Sequence, residues 1–152
     1  AEAKEGATIE HKLKVEKVEY KIHGTATPIK LAYKSKEEDI AVFHLPENHK
    51  LKSYPYGLGD SDNLRYGQEV QVLGFPHLDY FLVRTAHVAS RVLKGEFSPD
   101  RTSGFFIDNH LVSGDSGGIT VRSDNHRIIG LNASNFMNYG FIRDINQYKK
   151  HL

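Results

Sequence analysis

The sequence has no cysteine, no tryptophan and a single methionine. Without thiols it has no disulfide framework, no thiol nucleophile and no cysteine-based zinc site. The compartment stays open, because exported domains need not carry disulfides. Charge of one sign is also lacking. Twenty Lys and Arg face 19 Asp and Glu, for a net charge of +1, which gives no electrostatic reason to expect nucleic acid or a membrane as partner. No apolar run approaches the roughly 20 residues of a membrane span. The start, Ala1 to Gly6, lacks the basic, apolar and small-residue regions of a signal peptide. The nine histidines are scattered singly with no His-x-x-x-His pair, so no metal site is expected, and no cofactor motif is present. Helical periodicity is confined to the first few residues and to the tail from Arg143 to Leu152.

What remains is a β pattern. The 152 residues suffice for one domain with a buried core. Short runs rich in Val, Ile, Tyr and Phe are separated by Gly, Pro, Asn and Asp. They predict strands at Lys12–His23, Pro28–Tyr33, Ile40–Leu45, Glu69–Leu73, Tyr80–Leu93, Gly104–Asp108, Ile119–Arg122, Arg127–Asn132 and Tyr139–Arg143. Turn signals at His23-Gly24, Gly57-Leu58-Gly59 and Ser123-Asp124-Asn125 space them as in a barrel or sandwich rather than in βαβ units. The stretch Pro46–Gly67, rich in Pro, Gly, Asn and Asp, is the natural connection between two halves.

The segment Ser113-Gly114-Asp115-Ser116-Gly117-Gly118 carries chemistry. A reactive serine needs a tight turn on which backbone N–H groups converge on the oxygen that turns negative during attack. Glycine at 114 permits the unusual backbone angles this requires. The N–H groups around Gly114, Asp115 and Ser116 are the expected oxyanion donors. Each is worth about 2.7–4 kcal/mol of transition-state stabilisation. Taken alone, these residues also suit a simple β-turn between strands.

Four stretches decide between the two readings, because together and in this order they resemble the trypsin-like peptidases, and the Deg/HtrA-type branch in particular. Glu38-Asp39-Ile40-Ala41-Val42 is similar to the segment holding that family's catalytic aspartate. Leu58 to Val70, followed by Leu73-Gly74-Phe75-Pro76, resembles its inter-barrel connection and the opening of barrel two. Ile107-Asp108 with Gly114–Gly118 resembles the nucleophile segment, with an aspartate eight residues before the serine. Ile128 to Asn132 and Tyr139 to Ile142 resemble the closing strands. The resemblance implies an all-β fold of two six-stranded antiparallel Greek-key barrels, the first incomplete in this chain, with a short C-terminal helix. Within a single peptidase domain it places barrel one in 1–56, the connection in 57–68, barrel two in 69–142 and the helix in 143–152.

The resemblance also assigns roles. Ser116 is the nucleophile of a serine endopeptidase that hydrolyses polypeptides through an acyl-enzyme, and Asp39 orients a catalytic histidine. That histidine is the open position. His11 fits best by distance, 28 residues before Asp39, yet Thr8-Ile9-Glu10-His11-Lys12 does not resemble the family's sequence there. His23 reads as a hairpin residue. His87, within Thr85-Ala86-His87, follows Asp39 and reads as a strand residue. Ala1–Gly6 resembles the turn after the catalytic histidine, so the true histidine is expected upstream of Ala1, on a missing segment of the same precursor acting as a partner. His110, six residues before Ser116, is expected at the base of the substrate pocket, with Ala133, Ser134 and Asn135 opposite and Gly140 at the back. Histidine there argues against a Lys/Arg preference, and either favours acidic or polar side chains or simply narrows the pocket. Asp115 departs from the branch's usual asparagine and matches the digestive enzymes, where this aspartate pairs with a freed N-terminus. Ala1-Glu2-Ala3 does not resemble that terminus. A catalytically inactive fold of the same type, serving as a protein-binding module, is the alternative.

Overall fold

A computed structural model describes residues 18–152. His11, the expected helical start and the first part of the strand expected at Lys12–His23 lie outside the described residues. By contacts the chain divides into two units, one ending at Leu51 and the other running from Lys52 to Leu152.

In the first unit, β1 (Tyr20–Lys21), β2 (Pro28–Ser35) and β3 (Ile40–His44) form an antiparallel sheet in that order. Strand β2 alternates strictly. Ile29, Leu31, Tyr33 and Ser35 are half-buried on one face, while Lys30 and Lys34 on the other are exposed. The rings of Tyr20 and Phe43 meet at 4.8 Å. A turn joins β2 to β3, where the Ser35 hydroxyl accepts from the Glu38 N–H at 3.1 Å and the Tyr33 hydroxyl donates to Glu38 at 2.7 Å. Asp39 closes that turn in the left-handed region, at φ 49°.

The second unit is a closed barrel. Its strands are β4 (Glu69–Gly74), β5 (Leu82–His87), β6 (Gly104–Ile107), β7 (Ile119–Arg122), β8 (Ile128–Phe136) and β9 (Tyr139–Asp144). They run in the order β5-β4-β7-β8-β9-β6, every pair antiparallel. Closure comes after β5. Val88 bridges Ile107, Leu93 bridges Gly104, and the Ala89 N–H donates to the Phe106 carbonyl at 2.8 Å. The single strand expected over Tyr80–Leu93 is therefore divided, because the chain there passes from pairing with β4 to pairing with β6. Closure removes both sheet edges and gives the inward side chains one core. That core contains Val70, Val72, Phe105, Ile107, Ile129 and Ile142, all fully buried.

Two local features follow from the packing. A side chain at Gly104 would collide with the Phe141 ring and the Ile142 carbonyl, which explains the glycine where β6 meets β9. The tail forms a 3₁₀ helix at Ile145–His151, pinned by Ile145 and the fully buried Tyr148. The connection packs on this same unit. Ile128 accepts from the Gly59 N–H at 2.7 Å and donates to the Gly57 carbonyl at 3.0 Å. A second Gly-Asp-Ser, Gly59-Asp60-Ser61, anchors the connection. Ser61 is fully buried and its hydroxyl donates to Asp144 at 2.9 Å. Among the described residues no helix is long and apolar enough to cross a membrane.

Candidate active site

The loop between β6 and β7 presents Ser116 to solvent and buries its neighbour Asp115 completely. Glycines at 114 and 117 take φ of 96° and 83°, a region closed to most side chains, so this turn requires them. The connection between β4 and β5 fixes the loop by its backbone. The Phe75 N–H donates to the Gly114 carbonyl at 3.3 Å, and the His77 N–H to the Ser113 carbonyl at 2.6 Å. Within the loop, the Asp115 N–H donates to the Val112 carbonyl at 3.0 Å, the Gly117 N–H to the Asn132 carbonyl at 2.9 Å and the Gly118 N–H to the Asp115 carbonyl at 2.9 Å. Among the described residues, the N–H groups of Gly114 and Ser116 have no acceptor. Asp115 was expected among the oxyanion donors, but its N–H is committed inside the turn. Gly114 and Ser116 keep theirs.

The Asp115 carboxylate is held from two sides. Its Oδ2 accepts from the Val112 N–H at 2.8 Å and forms an ion pair with the Arg84 guanidinium from β5. It packs so closely on β4 that a side chain at Gly74 would come within 2.6 Å of Asp115 Oδ1. Asn132, buried in β8, completes the support. Its Nδ2 donates to the carbonyls of Leu73 at 3.1 Å and Asp115 at 3.2 Å, and its Oδ1 accepts from the Thr120 hydroxyl at 2.6 Å. Neither Arg84 nor Asn132 is singled out by the sequence. The one available signal for Arg84 is a guanidinium directly following the apolar run Tyr80-Phe81-Leu82-Val83.

Of the expected pocket residues, Asn135 and Gly140 contact the segment that runs from β6 toward the nucleophile turn. Asn135 clamps Leu111 from both directions, accepting its N–H at 2.7 Å and donating to its carbonyl, and approaches the exposed His110 ring to 3.5 Å. Gly140 donates its N–H to the Asn109 carbonyl at 3.0 Å, and a Cβ there would lie 2.6 Å from that oxygen. Ala133 and Ser134 are half-buried in β8, at the bulge where its pairing with β9 shifts between Asn132 and Ser134.

The remaining expected residues lie on other elements. Asp39 is exposed at the β2–β3 turn of the first unit. Among the described residues of the second unit, no histidine hydrogen-bonds Ser116. His87 instead pairs with Asp108, its Nδ1 at 3.0 Å from Oδ2 and its backbone N–H donating to Oδ1 at 2.6 Å. That aspartate is the one expected eight residues before the serine. Among the described residues no cluster of three His, Cys, Asp or Glu is placed to hold a metal.

A closed six-stranded Greek-key barrel carrying Gly-Asp-Ser-Gly-Gly on a turn with two uncommitted amides defines the second barrel of a chymotrypsin-like fold. The trypsin-like peptidase domain family matches the chain over residues 3–131, and the chain belongs to that family. Among solved structures, it is similar to the HtrA-type protease AlgW with decapeptide, at 23% identity and a TM-score of 0.67, covering 80% of this chain and 38% of that one. The same protease with tripeptide gives 22% identity and a TM-score of 0.65, covering 80% of this chain and 41% of that one. The chain thus spans about two fifths of the length of the structures it matches. No curated protein matches the sequence.

Proposed function

We propose that the chain is part of a serine endopeptidase that cleaves polypeptides by acyl transfer. In this reading Ser116 attacks the scissile carbonyl, Asp39 orients the histidine that serves as general base, and the N–H groups of Gly114 and Ser116 bind the oxyanion. The observation that carries the reading is the hydrogen-bond pattern of the turn. From Gly114 to Gly118, the N–H groups of residues 115, 117 and 118 are committed, while the two that the chemistry requires are available. The AlgW structures hold peptides, which favours a polypeptide substrate. His110 at the pocket floor favours acidic or polar side chains over Lys and Arg.

A second reading, a protein-binding module without activity, is favoured by one observation, the lack of any histidine bonded to Ser116 within the second unit. The test is hydrolysis of a mixed peptide library by the chain and by Ser116→Ala, with trapped acyl-enzyme detected by mass. Cleavage and a Ser116 adduct that both vanish in the variant support the peptidase. Binding of peptides with no turnover in either protein overturns it in favour of the module.

A further inference from the structure

An ionised carboxylate inside a protein is costly unless a cation and hydrogen-bond donors meet it. Asp115 is fully buried, and only its Oδ2 is met, by the Val112 N–H at 2.8 Å and by Arg84 Nη2. Its Oδ1 is buried with no partner. Arg84 is the one cation paired with this carboxylate among the described residues. Its side chain keeps 24% of its surface exposed, so water can solvate it when the carboxylate cannot be solvated. Its Nη1 donates to the His110 carbonyl at 3.3 Å. One guanidinium, fixed on a barrel strand, therefore ties the expected pocket floor to the turn that carries Ser116.

We propose that Arg84 is the positioning residue of the nucleophile loop. It is a built-in counter-ion that keeps Asp115 buried and so holds Gly114 and Ser116 in place, with no cleavage-generated ammonium needed. If the pair is broken from the Arg84 side, a buried charge is left with one donor. Asp115 then moves toward water and takes with it the backbone on either side, which is the oxyanion turn. If the charge is removed from the Asp115 side, the guanidinium turns to solvent at little cost and Val112 still has an acceptor. The two ends of the ion pair are therefore unequal, and that inequality is testable. The catalytic consequence rests on the peptidase reading, while the ordering of the loop does not.

The experiment compares Arg84→Met, Arg84→Lys, Asp115→Asn and the double variant Arg84→Met with Asp115→Asn, all in the folded chain. Two signals are read: amide hydrogen exchange over 111–118, and the rate of fluorophosphonate labelling at Ser116. Arg84→Met is expected to speed exchange there at least about tenfold and to slow labelling to match. Arg84→Lys and Asp115→Asn stay near the parent, and the double variant returns both signals to near parent values. Unchanged exchange in Arg84→Met overturns the proposal, as does a defect that Asp115→Asn fails to rescue, since Arg84 would then act through packing alone. If Arg84→Met does not fold, the same decision falls to the double variant, which must fold with parent-like exchange. If the parent itself takes no label, the peptidase reading fails and the exchange results alone decide the role of Arg84.

Discussion

Among their described residues, the two units are built from the same kind of strand and differ in enclosure. In the first, the half-buried face of β2 is as regular as any in the molecule, yet no described residue of that unit is fully buried. In the second, six strands of similar composition close on themselves, and Val70, Val72, Phe105, Ile107, Ile129 and Ile142 lose essentially all contact with water. Alternation makes a strand, whereas closure makes a core. The nucleophile turn hangs from the closed unit, where β4, β5 and β8 each contribute a contact to Asp115. The expected orienting acid, Asp39, sits on a turn of the first.

The largest effect should come from the closed core. Phe105→Ala is expected to cost about 3–5 kcal/mol, whereas Leu31→Ala on the half-buried face of β2 should cost under about half of that. Urea titration of both variants checks this, and equal losses would break the comparison. Next is Gly74→Ala, whose methyl would press on Asp115 Oδ1. It should cost about 1–3 kcal/mol and slow Ser116 labelling, while the parallel change Gly67→Ala, in open space though at φ 75°, should spare labelling.

The smallest effect concerns Asp100. Burial opposes its ionisation, but hydrogen bonds from Thr102 and Arg143 outweigh burial and hold its pKa below the usual carboxylate value. A depressed folded pKa stabilises the protein above the unfolded value, near 4, and that contribution is lost as pH falls through the folded one. Asp100→Asn should therefore lower Tm modestly at pH 7 and less at pH 3, as differential scanning fluorimetry across that range would register. A Tm difference that grows toward low pH would contradict the assignment.

Much of the barrel is legible in the sequence because its strands are short, β-branched and punctuated by turn residues. The strands β6 and β7 begin where the pattern puts them. The Gly-Asp-Ser-Gly-Gly turn is legible for the same reason, since its glycines answer a backbone requirement local to the turn. What escapes is what depends on distant pairing. Strand β8 runs on through Ser134-Asn135-Phe136, a segment of loop-like composition, because β9 lies beside it and Asn135 clamps Leu111. The break after His87 depends on β6, and the role of Arg84 depends on a carboxylate 31 positions later. Neither leaves a trace in local periodicity. Ser61 has the same character, a small polar residue by sequence and a buried anchor through Asp144.

The most direct test of the central claim, that the turn on the closed barrel holds an activated serine, is intact-mass detection of fluorophosphonate labelling on the folded chain beside Ser116→Ala. The account predicts one adduct on the parent and none on the variant. A folded parent that takes no adduct, or a variant that still takes one, would contradict it.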